Sequence, residues 1–102
     1  MSEIGTLYTS GQWTAKPGKE EEFIRAWEKY ASWTAQNFKA SGARLLRDSE
    51  SPNKFLSFGR WDSQQQIDQW RATPEFQEFI KIARSLCDLV EPHTFKVVTE
   101  AG

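Results

Sequence analysis

Apolar and polar positions change period several times along this chain, and the changes mark its elements. From Ile4 to Thr14, Leu7, Thr9, Gly11 and Trp13 alternate with Tyr8, Ser10, Gln12 and Thr14. A period of two is that of a strand. Lys16-Pro17-Gly18 ends it, and Glu20, Glu21 and Glu22 follow, where carboxylates favour a helix start by opposing the macrodipole. The period then turns helical: Phe23, Ile24, Trp27, Tyr30, Ala31, Thr34 and Phe38 share one face. Gly42 stands where a left-handed C-terminal cap is expected.

Ala43 to Asp48 reads as a second strand and Lys54 to Trp61 as a third, joined by the polar hairpin loop Ser49-Glu50-Ser51-Pro52-Asn53. In that loop Asn53 is assigned to turn geometry. Ser63 with Gln66 resembles a capping box, with Ile67 and Trp70 as the apolar stripe of the helix it opens. Thr73-Pro74-Glu75 interrupts and restarts that helix, with Pro74 at a first position where its missing N–H costs nothing. Phe76, Phe79, Ile80, Ala83, Leu86, Cys87 and Val90 continue at helical spacing until Pro92, and His93 to Thr99 alternates as a fourth strand.

The order β-α-β-β-α-β predicts a single α+β domain over residues 1–102. It is the ferredoxin-like arrangement of a four-stranded antiparallel sheet with two helices on one face. Leu45 and Leu46, Phe55 and Leu56, and Val97 and Val98 put apolar groups on both strand faces. A sheet with one wet face alternates more cleanly, so a symmetric homodimer, sheet against sheet, is predicted.

Composition removes several classes. A net charge of −1 and a pI near 5.8 argue against a nucleic-acid or anionic-membrane partner, which calls for a basic patch. One cysteine and one histidine make neither an intramolecular disulfide nor a common zinc site. Met-Ser-Glu-Ile-Gly-Thr has neither the basic nor the apolar region of a signal peptide, and no apolar run approaches the ~20 residues of a membrane span. The expected location is the cytoplasm. What composition adds is aromatic: five Trp, seven Phe and two Tyr in 102 residues. So many large rings build either an aromatic core or a flat apolar cavity for a planar ligand.

Three stretches carry a family resemblance: Ala15-Lys16-Pro17-Gly18-Lys19-Glu20-Glu21-Glu22-Phe23, Phe58-Gly59-Arg60-Trp61-Asp62-Ser63, and Trp70-Arg71-Ala72-Thr73-Pro74-Glu75-Phe76. Together they resemble the antibiotic biosynthesis monooxygenase family of dimeric α/β barrels over about residues 5–100. The resemblance implies a ligand site between the helices and the sheet of one subunit. It also implies oxidation of phenols or quinols of aromatic polyketides by O₂ without a bound cofactor, although the family includes haem-degrading members and members of no known activity. The haem-degrading pattern has a Trp, matched by Trp70, a His where this chain has Ile80, and an Asn on the first strand, where this chain has none. Quinol-oxidising relatives often carry His at the Trp70 position.

The expected function is therefore a cofactor-independent monooxygenase acting on a small planar aromatic compound, with a non-catalytic binding or stress-response dimer as the alternative. No metal or cofactor is expected. The only histidine, His93, is the candidate general base, or else a partly exposed strand-entry residue; Tyr30 is the second candidate catalytic group. Trp27, Trp70, Trp61, Phe23 and Phe76 are the candidate substrate-binding aromatics, with ordinary core as the competing assignment. Arg60, opposite Trp61 on its strand, is a candidate partner for a phenolate, or a surface ion pair. Trp33 lies off the helical stripe and is assigned to the surface or an interface. Cys87 is assigned to the core as a small apolar group.

Overall fold

A computed structural model describes residues 2–38, 40 and 42–102. The chain runs β1 (Leu7–Ala15), α1 (Glu20–Asn37), β2 (Arg44–Arg47), β3 (Lys54–Trp61), α2 (Gln64–Arg71), α3 (Pro74–Leu86) and β4 (Cys87–Lys96). All three strand pairs are antiparallel and the sheet order is β2-β3-β1-β4. This is the expected ferredoxin-like α+β fold, with the helical layer on one face of the sheet and the second helical region divided into α2 and α3.

The strand period decides what each face does. In β1, Gly11, Trp13 and Ala15 are buried under the helices; in β3, Phe55, Ser57, Gly59 and Trp61 are. Directly opposed residues of antiparallel strands share a face. The outer face therefore carries Leu46, Leu56, Gln12 and Glu91 in one row, and Arg44, Phe58, Ser10 and His93 in the next.

The helix starts follow the sequence closely. Glu20, Glu21 and Glu22 occupy the first turn of α1. Ser63 Oγ accepts from the Gln66 backbone N–H at 3.2 Å, while the Gln66 side chain takes the Asp62 N–H at 3.4 Å rather than that of Ser63 itself. Thr73 joins two helices with one hydroxyl: it accepts from Phe76 N at 3.1 Å and donates to Trp70 O at 2.7 Å. Pro74 follows at the first helical position.

Two ends differ from expectation. Helix α1 stops at Asn37 with Phe38 in extended geometry, so Gly42, though at φ +78°, bends the following loop rather than capping the helix. Asn53 is, as expected, a turn residue, central with Pro52 in the turn closed by Lys54 N–H to Ser51 O at 2.9 Å, and its side chain donates to Ala15 O at 3.3 Å, tying the hairpin to β1. The start of the loop is shaped by Asp48, whose Oδ1 accepts from Glu50 N and Ser51 N at 2.7 and 3.1 Å. Finally, α3 ends at Leu86 and the chain passes straight into β4. Cys87 and Val90 sit at a spacing that fits either period, and pairing with β1 decides: Cys87 lies opposite Ala15 and Val90 opposite Trp13. Pro92 is inside β4 rather than before it. Its missing donor is harmless because β4 is an edge strand.

Cys87 is buried as expected, and burial pushes its thiol pKa up to about 11, away from nucleophilic chemistry. No described helix is long and apolar enough to cross a membrane.

Candidate functional site

The helix–sheet interface is filled at one end only. At the filled end, Phe23 of α1 has no exposed surface. Its ring centroid is 5.4 Å from that of Trp13 and 5.3 Å from that of Phe55. Trp13 meets Phe79 of α3 edge-on at 5.6 Å, and Ala15, Ala83, Leu86 and Cys87 complete the packing.

Toward the end of α2 the same interface opens into a cavity of about 350 Å³. That lies at the small end of the ~300–1,000 Å³ usual for ligand pockets. Trp27 lines it from α1 and Trp70 from α2, with Trp61 from the end of β3 and Phe76 from the start of α3. Trp70 packs against Trp61 at 4.9 Å and Phe76 at 5.0 Å. Tyr30 stacks on Phe79 at 4.5 Å with an interplanar angle of 6°, and its other aromatic neighbours are Trp33 and Trp70, each at 5.8 Å, and Phe76 at 6.3 Å. Trp33 is thus part of the aromatic cluster through Tyr30 and Phe38, not a separate surface residue.

Three indole N–H groups are satisfied inside the walls, each by a hydroxyl. Trp13 Nε1 donates to Ser57 Oγ at 3.0 Å, Trp61 Nε1 to Thr9 Oγ1 at 2.8 Å, and Trp70 Nε1 to Thr34 Oγ1 at 3.0 Å. The three acceptors all line the cavity. The first pair depends on Gly11, because a Cβ there would run into the Trp13 indole. These hydroxyls were not singled out from the sequence. Thr34 sits on the apolar stripe of α1, four residues after Tyr30. A hydroxyl at a core-facing position, in a chain with several indoles to satisfy, is the signal that could have found it.

Tyr30 lines the cavity, but its hydroxyl is buried and makes no hydrogen bond among the described residues. Burial raises its pKa well above the usual value near 10; Glu75 adds to the rise, and nearby Thr34 and Trp70 soften it. Tyr30 therefore remains a neutral phenol and is no proton acceptor at neutral pH. Among the described residues, the charged side chains lining the cavity are Glu28 and Arg71.

The remaining candidates lie elsewhere. His93 pairs with Ser10 and points from the outer sheet face; it is half exposed, with Nε2 4.0 Å from Glu91 Oε2. It is not in the cavity because the strand register turns it away from the helices. Arg60, opposite Tyr8, also faces outward, with Nε 3.9 Å from the Glu3 carboxylate that accepts from Tyr8 Oη. Phe23 is core, one helical turn from Trp27 toward the filled end, and does not line the cavity. Trp27, Trp61, Trp70, Phe76 and Tyr30 are the expected residues that the fold does bring together.

A two-layer α+β chain with an aromatic cavity between helices and sheet fits the comparisons with known proteins. Residues 6–82 match the model of the antibiotic biosynthesis monooxygenase family, and the chain belongs to that family. Among solved structures it is similar to SnoaB, a cofactor-independent oxygenase from Streptomyces nogalater. The two share 19% identity, with 94% of this chain and 96% of that one covered, at a TM-score of 0.83. It is also similar to a conserved protein from Methanosarcina mazei Go1, at 16% identity, 93% and 95% coverage and a TM-score of 0.83. A Mycobacterium tuberculosis protein aligns at 13% identity, 95% and 99% coverage and a TM-score of 0.80. At such identities the likeness shows the shared fold. None of the curated proteins matches the chain.

Proposed function

We propose that the chain is a cofactor-independent monooxygenase that oxidises a small planar aromatic compound with O₂, in the cavity walled by Trp27, Trp61, Trp70 and Phe76. The observation that carries it is the cavity itself: aromatic side chains line a space large enough for a fused-ring ligand where a structural core would be filled. Family membership and the likeness to a cofactor-independent oxygenase support the same class of chemistry.

For a substrate of the anthrone type, a CH₂ group conjugated with a phenol-type oxygen loses a proton. The resulting carbanion passes one electron to O₂, and the radical pair combines into a hydroperoxide. Loss of water then leaves a second carbonyl: CH₂ + O₂ gives C=O + H₂O. The protein's part is to hold the ring flat between indole faces, exclude bulk water and favour the charge that develops on oxygen. With Tyr30 held as a neutral phenol, the proton leaves to water at the mouth rather than to a tyrosinate.

The working form is proposed to be a homodimer. Leu46, Leu56, Leu89 and Phe95 expose 47, 41, 37 and 55% of their surface on the outer sheet face, which a second copy would cover. Sedimentation of the protein and a Leu56→Asp variant tests this: a dimer that the aspartate dissociates is expected, and an unmodified monomer would refute it.

An oxygen electrode tests the activity. Anthrone, with no added flavin or metal, is expected to consume one O₂ per molecule well above the spontaneous rate. Oxygen uptake no faster than the spontaneous rate, for anthrone and for dihydronaphthoquinones, would leave the alternative, a binding protein without turnover.

A further inference from the structure

Building on the oxygenase reading, we propose that the ring stack Trp61, Trp70, Tyr30 and Trp33 is an electron relay that discharges oxidising radicals from the cavity at the protein surface. Trp61 and Trp70 wall the cavity, with ring centroids 4.9 Å apart. Tyr30 is 5.8 Å from Trp70 and 5.8 Å from Trp33, at interplanar angles of 28° and 17°. Trp33 does not line the cavity and is half-buried, so the stack runs outward from the cavity wall. Tryptophan and tyrosine are the aromatic side chains that give up an electron most readily. Exchange between rings in contact is fast, because electronic coupling decays steeply with distance. The filled end has no such run: the rings around Trp13 and Phe23 are phenylalanines, Phe55 and Phe79, which resist oxidation.

Protons set the direction of the relay. An indole that loses an electron becomes a strong acid, and the radical settles where its N–H proton can leave. Trp61 and Trp70 donate to the hydroxyls of Thr9 and Thr34, which take up no proton at neutral pH. Tyr30 passes charge without keeping it. Its hydroxyl is buried beside Thr34 and Trp70, neither of them a base, and that burial opposes loss of the proton. The Trp33 N–H donates to no group among the described residues, and its half-buried ring reaches solvent, where water accepts the proton. The oxidant is the hydroperoxide of the proposed reaction. Homolysis of its O–O bond releases an alkoxyl and a hydroxyl radical. Each takes one electron from the nearest indole and one proton from water, becoming an alcohol or water. The vacancy passes to Trp33, which releases its indole proton, and a soluble reductant such as ascorbate returns the electron and the proton.

The test works without O₂. Light-excited 2,3-dimethyl-1,4-naphthoquinone takes one electron from an indole in contact with it. Hexaamminecobalt(III) then takes that electron from the quinone radical anion, so the vacancy in the protein persists. The nitrone 5,5-dimethyl-1-pyrroline N-oxide adds to the resulting radical, and peptide mass spectrometry locates the adduct. The adduct is expected mainly on Trp33. Tyr30→Phe, which keeps the ring but not its ease of oxidation, should lose most of the Trp33 adduct and gain adduct on Trp61 and Trp70. Trp33→Phe should shift the adduct to the same two residues. Adduct mainly on Trp61 and Trp70 in the unmodified protein would overturn the proposal. So would a Trp33 adduct that survives Tyr30→Phe, the mark of direct attack from solution, or no tryptophan adduct at all. With anthrone and O₂, Trp33→Phe should keep the initial rate of uptake but lose activity after fewer turnovers; equal lifetimes would refute the protective role. Because the photochemical experiment turns over no substrate, its failure is separate from a failure of oxygen uptake.

Discussion

The two ends of the helix–sheet interface use the same kind of side chain to opposite effect. At one end Phe23, Phe55, Phe79 and Trp13 close on one another with small residues, Ala15 and Ala83, filling the gaps. At the other, Trp27, Trp61, Trp70 and Phe76 stand around an empty space. The difference is in what surrounds the rings. Each end tethers indoles to hydroxyls, Trp13 to Ser57 at the filled end and Trp61 and Trp70 to Thr9 and Thr34 at the open end, but at the filled end Phe23 and Phe79 also close on the tethered ring. A tethered indole is fixed in direction and can act as a wall without a neighbour on its free face. Neither an aromatic count nor a hydroxyl partner alone separates core from cavity; what packs on each ring's free face does.

The largest expected effect lies at the filled end. Phe23→Ala removes a fully buried ring and is expected to cost about 3–5 kcal/mol of stability, read by denaturant unfolding, while leaving ligand selectivity in the surviving folded fraction intact. A loss much smaller than this would mean the two ends are not packed differently. Gly11→Ala comes next, because its methyl would displace the Trp13 indole from Ser57. Overpacking of this kind costs about 1–3 kcal/mol, and Trp fluorescence should report the displaced ring.

Trp70→Phe reverses the pattern. It keeps an aromatic ring and gives up the bond to Thr34, for an expected stability loss of about 1 kcal/mol. Oxygen uptake with anthrone should fall far more than stability does. Unchanged uptake in a folded Trp70→Phe protein would make the open end as passive as the filled one.

The smallest effect is a pH dependence. The folded-state pKa of Tyr30 is raised above the unfolded value near 10. Its contribution is therefore whole below pH 10 and is lost as pH rises from there toward the folded pKa. Cys87, raised from 9.0 to about 11, acts in the same direction over that earlier window. Tyr30→Phe should leave stability at pH 7 nearly unchanged, since it removes an unpartnered hydroxyl, and should flatten the decline in thermal midpoint above pH 10. An identical alkaline decline in the variant would show that Tyr30 is more open than its position at the junction of the two ends implies.

Much of this architecture is legible in the order of residues because it rests on local rules. Periods of two and 3.6 locate the strands and helices, Glu20–Glu22 open α1, Ser63 and Thr73 start α2 and α3 by accepting from the N–H three residues on, and Pro74 follows at the first position of α3. Family membership is carried by the same local motifs. Cys87-Asp88-Leu89-Val90 was the ambiguous stretch, since its apolar spacing suits a helix or a strand. Pairing with β1, some 75 residues earlier, settled it.

Register and long-range contact decided the rest. A strand's period says which residues share a face, not which face meets the helices, so only the folded sheet turns His93 and Arg60 outward and Trp61 inward. Helical spacing put Phe23 and Trp27 on one stripe. Their separation into core and cavity wall depends on what β1, β3 and α3 bring opposite each. Likewise the pairs Trp13–Ser57, Trp61–Thr9 and Trp70–Thr34 span 36 to 52 positions, beyond the reach of any local pattern. The sequence by itself determined the elements, their order and the family, because those follow from nearest-neighbour geometry. Only the tertiary structure decided which tryptophans enclose a cavity, because that depends on hydrogen bonds and packing between segments the chain brings together on folding.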